Sequence, residues 1–208
     1  VGPGHLHARA LALDAINARF LREVEPGEIV RLDRDGLHSR YFVKPGTVKP
    51  AHCVFEPIYF AKQNSTVFGD NVHMFRKRVG RQLAKEYPVE ADVVTPVPDS
   101  GTSAAIGYSE QSGIPFDMGM VRSHYVGRTF IAPSQELREM AVKTKLAVVK
   151  EVVRGKRVVV VDDSIVRGTT TRGKIKALRD AGAKEIHMRV SCPPLRSPCF
   201  YGVDFPTK

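Results

Sequence analysis

The segment from Arg157 to Thr171, RVVVVDDSIVRGTTT, restricts the fold more than any other stretch of the chain. Its unbroken run of valines lacks the polar alternation of a half-solvated strand. It therefore predicts a strand buried on both faces, as in a parallel sheet enclosed by helices. Two adjacent carboxylates, Asp162 and Asp163, follow the strand. A Gly/Thr turn then leads into a helix predicted over Thr171 to Ala181, with Ile175 and Leu178 inward and Gly182 as its stop signal. Ile186 to Val190 reads as the returning strand, and the β-α-β order implies parallel pairing with a right-handed crossover. The fold class is α/β.

Upstream, the pattern alternates in the same way. Asp70 is a candidate cap for a helix with apolar residues Val72, Phe75, Val79 and Leu83 at helical spacing, ending before Pro88. Ala91 to Val97 reads as a short buried strand. The loop PDSG and the small-residue segment TSAAIGYSEQSG follow, giving a second helix that stops near Gly113. Phe116 to Val121 is the next strand candidate. Near the start, EIVRLDRDGLHSRYF (Glu28 to Phe42) predicts an antiparallel hairpin around Asp33 to Gly36. KPGTVKP (Lys44 to Pro50) is a linker candidate, which suggests a small first unit over residues 1–47 and a main domain over 48–208.

Composition narrows the function. The chain has 208 residues, 42% hydrophobic and 26% charged, enough to bury a full core. No apolar run approaches the roughly 18 residues of a bilayer span, and VGPGHLHARA lacks the features of a secretory signal, so no membrane association and a cytoplasmic location are expected. The first residue is Val and both ends fall mid-pattern, so truncation at each end is expected. A formal charge of +10 suits an anionic partner, yet the basic residues are dispersed and no nucleic-acid-binding motif is present. Nucleic acid is not an expected partner. Three cysteines without a CxxC do not make a disulfide scaffold.

The chemistry concentrates at the carboxyl end of the valine strand, where ligands bind in open parallel sheets. Arg167, Gly168, Thr169 and Thr170 offer backbone N–H groups and hydroxyls at a helix N-terminus, a site for a phosphate dianion, and Gly168 lets the backbone come close. Carboxylates beside a phosphate pocket repel unless something lies between them. Sugar hydroxyls that donate to the acids, and Mg²⁺ bridging to pyrophosphate oxygens, remove that conflict. Taken alone, an Asp pair after a strand also serves as a structural cap or as another α/β site. A GxxxxGK[ST] phosphate loop is absent.

The complete string is similar to the phosphoribosyl-pyrophosphate signature of type I phosphoribosyltransferases, and its form resembles the amidophosphoribosyltransferase family in particular. CVFEPIYFAK from Cys53, TPVPDSG from Thr95, RSHYVGRTFIAPSQELR from Arg122 and SCPPLRSPCFYGVD from Ser191 carry the same resemblance, over nearly all of residues 50–208. It implies a type I phosphoribosyltransferase fold, a mostly parallel sheet flanked by helices. It also implies that residues 1–47 are an antiparallel remnant of an N-terminal-nucleophile glutaminase domain. The implied reaction is transfer of the phosphoribosyl group of phosphoribosyl pyrophosphate to ammonia derived from glutamine, the first step of purine synthesis.

The same resemblance assigns roles. Asp99, Ser100 and Gly101 receive pyrophosphate. Ser100, Asp162 and Asp163 surround Mg²⁺, and Ser164, Val166, Arg167, Gly168, Thr169 and Thr170 cradle the 5′-phosphate. By itself Ser100 suits an ordinary helix cap equally well. Arg122 to Arg138 resembles a lid that closes over substrate, with Arg122 and Tyr125 joining Asp162 and Asp163 as catalytic candidates and His124 and Arg128 nearby, although a solvated charged connection has the same composition. Some family members hold a 4Fe-4S cluster. Cys53 and Cys199 match two of its ligand positions, whereas Cys192 matches none; without the resemblance these read as buried structural thiols. No cysteine precedes Cys53, so the glutaminase nucleophile is expected to be missing. Purine-nucleotide feedback inhibitors and a homo-oligomeric full-length protein are also implied. Two rival readings keep the same fold: a regulatory protein that binds phosphoribosyl pyrophosphate as a signal, and a type I transferase acting on a nucleobase.

Overall fold

The computed structural model describes residues 17, 21–122, 146–165, 168–197 and 199. The chain forms two compact units, Val1–Phe75 and Arg76–Lys208.

In the first unit, β1 (Glu28–Asp33) and β2 (Gly36–Tyr41) form the expected antiparallel hairpin, with Asp33 opposite Gly36 at the turn. Glu28 anchors it. Its carboxylate accepts from both terminal nitrogens of Arg22, from the Glu25 N–H and from the Ser39 hydroxyl. The Arg22 hydrogen bonds, followed by those from Ser39 and Glu25, hold the Glu28 carboxyl down at about 2. Apolar side chains on the hairpin and beside it are nonetheless bare, including Leu32 and Phe42. A single π-type turn, Glu56–Phe60, closes with the Ala61 N–H donating to the Glu56 carbonyl at 2.9 Å. A two-residue ribbon follows, β3 (Thr66–Val67) with β4 (Asp70–Asn71), packed on Ala61 and Val72.

Helix α1 (Val72–Glu86) agrees with the apolar spacing, but its cap is Asn71, whose side-chain oxygen accepts the Met74 N–H at 3.1 Å. Asp70, the expected cap, lies in β4 instead. The buried stripe also sits one step from the expected one. Val72, Arg76, Gly80, Leu83 and Ala84 are buried, while Phe75 and Val79 are only half-covered.

The second unit is built on a parallel sheet ordered β5 (Val93–Pro96), β8 (Arg157–Asp162), β9 (Glu185–Val190). Val93 pairs with Val158 and Pro96 with Val161 on one side of β8; Arg157 pairs with Glu185 and Asp162 with Val190 on the other. Val158 to Val161 are each at most 1% exposed. Burial of a side chain of this size is worth roughly 1.5–3 kcal/mol. Their side chains alternate between two cores. Val159 and Val161 pack with Leu83 and Ala84 of α1 and with Ala104, Ala105 and Tyr108 of α2 (Thr102–Ser112). Val158 and Val160 pack with Met120, Val153, Leu178 and Ala181 on the opposite face. The last two belong to or follow α4 (Thr169–Asp180), which begins two residues before its predicted start. The sheet is therefore covered by helices on both faces, as the valine run requires.

Phe116 to Val121 is not one strand. Phe116 makes a single parallel bridge to Val94, and β6 (Met120–Arg122) turns away to pair antiparallel with β7 (Leu146–Val148). Gly119 lies between them, and its N–H donates to the buried Thr95 hydroxyl at 2.8 Å. A short helix, α3 (Lys150–Val153), leads into β8. Among the described residues no helix is long and apolar enough to cross a membrane.

Two local contacts hold this frame. Helices α1 and α2 cross at glycines: a methyl on Gly80 would strike the Ala104 carbonyl, and one on Gly107 the Lys77 carbonyl. Lys77 and Arg81 of α1 meet Glu110 of α2 at the same crossing. At the opposite end of the sheet, Asp92 accepts from the Arg157 N–H at 2.7 Å and from its guanidinium at 2.9 Å. Arg157 holds the Asp92 carboxyl down at about 2.

Gly80→Ala would add up to about 1 kcal/mol on an open helix. Here it should destabilise by about 1–3 kcal/mol, read as a lower urea midpoint, because the backbone beneath it cannot yield without separating the helices. Asp92 has its folded pKa below the unfolded value of 3.8, so its stabilising contribution is full above pH 4 and is lost as pH falls toward about 2. Asp92→Asn should flatten that acid limb in a series of thermal melts between pH 2 and 5 while leaving the limb above pH 5 parallel to that of the parent chain.

Candidate functional site

The predicted residues that fall within the described set come together largely at the carboxyl end of β8. Because a strand sends successive side chains to opposite faces, Asp162, the last residue of β8, continues the Val158 and Val160 side, and Asp163 follows immediately after the strand. Both acids are buried, at 3% and 5% exposure. Their main-chain carbonyls are tied to the segment after β9: Ser191 N–H donates to Asp162 at 3.0 Å and Cys192 N–H to Asp163 at 2.8 Å.

The two carboxylates differ in what they touch. Asp162 Oδ1 accepts the Asp163 N–H at 3.0 Å and Oδ2 accepts Lys174 Nζ at 2.7 Å, so both oxygens are engaged. Burial pushes the Asp162 carboxyl above its ordinary value, and the hydrogen bond and charge of Lys174 oppose that shift. Asp163 Oδ1 accepts from the Ser164 hydroxyl at 2.9 Å, whereas Oδ2 is buried with no hydrogen-bond partner among the described residues. A buried, unsatisfied carboxylate oxygen is costly, and a ligand donor or a cation would relieve it. Arg76 of α1, 4% exposed, interacts electrostatically with Asp163; burial lowers its pKa and Asp163 raises it. Burial and the Asp163 charge together raise the Cys192 thiol.

Gly168 stands at the N-cap of α4 with φ of +72°, a left-handed conformation that favours glycine. A methyl there would meet nothing within 4 Å, so backbone angle rather than crowding explains this glycine. That open side leaves room for the close approach of a ligand to the backbone. Thr170 is exposed in the first turn of α4, where unpaired backbone donors gather. Val166, Arg167 and the Thr169 side chain lie outside the described residues.

The loop after β5 lies against the same strand end. Val97 N–H donates to the Val161 carbonyl at 2.8 Å. Gly101, the N-cap of α2, sits so close to that carbonyl that a side chain would collide with it. The Pro98–Asp99 peptide in this loop is cis. Asp99 is exposed and ion-paired with Arg122 of β6 at 3.0 Å, which joins the pyrophosphate-loop candidate to the first residue of the lid candidate. Ser100 is half-buried between them in sequence. His124, Tyr125 and Arg128 lie outside the described residues.

The donor set suits Mg²⁺, an ion commonly held by one or two carboxylates together with waters and substrate phosphates. Among the described residues no three His, Cys, Asp or Glu side chains converge. A Cys₄ iron-sulfur cluster needs four thiolates and the chain has three, with Cys53 exposed and Cys192 and Cys199 half-buried, so that set is not complete within this chain.

Lys174 and Arg76 were not among the predicted site residues. A signal existed for each. Lys174 lies on the stripe Thr171, Lys174, Leu178, Ala181 that faces the sheet, and Arg76 occupies the buried stripe of α1 four residues after Val72. Charged residues on inward stripes are rare unless paired.

Residues 74–198 match the phosphoribosyl transferase domain family. Among curated proteins, the chain is 52% identical to the amidophosphoribosyltransferase of Mycobacterium tuberculosis over 94% of its own length and 37% of that protein's. It is 54% identical to the chloroplastic amidophosphoribosyltransferase of Glycine max, covering 97% of this chain and 35% of that protein. With the Methanocaldococcus jannaschii amidophosphoribosyltransferase it shares 48% identity over 98% of this chain and 46% of the other. The chain thus spans between about a third and a half of the length of these relatives. Among solved structures it superimposes with a TM-score of 0.85 and 52% identity on glutamine phosphoribosylpyrophosphate amidotransferase from B. subtilis, complexed with ADP and GMP, covering 95% of this chain and 43% of that one.

Proposed function

The chain belongs to the phosphoribosyl transferase domain family, and from that premise we propose that it is the transferase part of an amidophosphoribosyltransferase. In this reading residues 48–208 bind phosphoribosyl pyrophosphate, and residues 1–47 are the tail of a glutaminase domain that supplies ammonia. The exposed apolar side chains Leu32 and Phe42 on and beside the hairpin support a partner surface of that kind. The observation that carries the transferase reading is the buried, unpartnered Asp163 Oδ2 at the end of β8, followed by the α4 N-terminus.

The reaction exchanges one bond at ribose C1. The C1–O bond to pyrophosphate breaks, its electron pair leaves with pyrophosphate, ammonia forms the C1–N bond from the opposite face, and the ammonium then loses a proton. No protein nucleophile is needed. The chain's task is to hold both ends of the substrate and keep water from C1. In this reading Asp162 and Asp163 accept hydrogen bonds from the ribose hydroxyls, and Ser164, Val166, Arg167, Gly168, Thr169 and Thr170 enclose the 5′-phosphate with amides and hydroxyls. Asp99, Ser100 and Gly101 receive the pyrophosphate. Arg122 leaves Asp99 to meet it as the segment carrying Tyr125 closes. Mg²⁺, held by Ser100, Asp162 and Asp163 with substrate oxygens, would neutralise the leaving charge.

The wider reading includes glutamine as ammonia source, purine-nucleotide feedback, an iron-sulfur cluster with Cys53 and Cys199 among its ligands, a homo-oligomeric full-length protein and a cytoplasmic location. The relative solved with ADP and GMP supports the feedback element. With Mg²⁺ present, titration calorimetry should record phosphoribosyl pyrophosphate binding to the chain. The double substitution Asp162→Asn and Asp163→Asn should weaken it at least about 100-fold, since each charge-assisted acceptor is worth about 1.5–3 kcal/mol. Equal affinity before and after substitution would remove the site.

A further inference from the structure

Each acid of the pair has a cation of a neighbouring helix beside it. On the face carrying Val158 and Val160, α4 places Lys174 Nζ 2.7 Å from Asp162 Oδ2, with the side chains only 13% and 4% exposed. On the other face, buried Arg76 of α1 lies within the field of Asp163. An ammonium this enclosed does not act as a solvated surface charge. Removing it would leave Asp162 buried and uncompensated.

The pair also settles geometry. With Oδ1 fixed by the Asp163 N–H and Oδ2 by Lys174, the Asp162 carboxylate cannot rotate. The N–H that it holds belongs to Asp163, and the orientation of that peptide determines where Asp163 Oδ2, the unpartnered oxygen, is presented.

We propose that Lys174 is a positioning residue for the phosphoribosyl-binding acids, acting through Asp162 to hold the pair balanced and Asp163 Oδ2 in place for the ligand. This rests on the transferase reading above. It differs from that reading in naming a residue outside the signature string whose effect on binding is conditional on Asp162.

A double-substitution cycle on the full chain, read by calorimetry with phosphoribosyl pyrophosphate and Mg²⁺, tests it. Lys174→Met and Asp162→Asn should each weaken binding roughly 10-fold, the range expected when a group supporting a ligand-binding residue is lost. The combined variant should be no weaker than Asp162→Asn alone, because without the Asp162 charge there is nothing for Lys174 to balance. Lys174→Arg, which keeps the charge, should recover most of the loss. Unchanged or tighter binding by Lys174→Met would overturn the proposal. So would losses that multiply in the combined variant, which would mean that Lys174 meets the ligand itself. If Lys174→Met proves too unstable to assay, the combined variant, neutral on both sides, still decides: affinity about tenfold below Asp162→Asn sinks the idea. Failure of the unsubstituted chain to bind would instead reject the transferase reading.

Discussion

Burial of β8 on both faces is the constraint from which the remaining features follow. Four valines with essentially no exposure leave no face for water, so helices must cover each side of the strand, and α1 with α2 on one side and α4 on the other do so. A strand enclosed in this way must also end abruptly, because the next residues in the chain are two carboxylates. Beyond the valines, the largely covered Lys174 of α4 pairs with Asp162, and buried Arg76 of α1 interacts electrostatically with Asp163. The helices that bury the strand thereby offset part of the cost of burying two negative charges.

Close backbone contacts make that arrangement rigid. Gly80 and Gly107 let α1 and α2 approach until side chains would no longer fit between them. Gly101 lets the loop after β5 rest on the Val161 carbonyl, one residue before the acids. A site assembled from a strand end, a loop and a helix N-terminus needs such contacts, since backbone amides recognise an anion only where the backbone is held still. Among the described residues of this region, Asp99 and Arg122 also form an exposed ion pair at 3.0 Å.

Much of this was legible in the sequence because local signals and tertiary demands agreed. The hairpin turn at Asp33 to Gly36, the stop at Gly113 and the valine strand all appeared where their residues predicted. The departures have particular causes. Asp70 and Asn71 are both good caps, and pairing of Asp70 with Val67 in a ribbon leaves the role to Asn71. Phe116 to Val121 has strand composition throughout, but the Gly119 N–H bonded to the Thr95 hydroxyl bends it out of the parallel sheet. On α1, apolar counting favoured Phe75 and Val79, while the tight glycine contact with α2 turns Gly80 and Arg76 inward.

The sequence by itself determined that the central strand is buried on both sides, that two acids and a glycine turn stand at its end, and which family the string resembles. These properties are written in consecutive residues, where period and turn chemistry act over a few positions. Only the tertiary structure decided that Lys174 pairs with Asp162, that Arg76 interacts with Asp163, and that one oxygen of the pair has no hydrogen-bond partner among the described residues. Each of those facts joins groups separated by many residues, and each depends on how closely two helices approach a strand, a distance that no local pattern encodes.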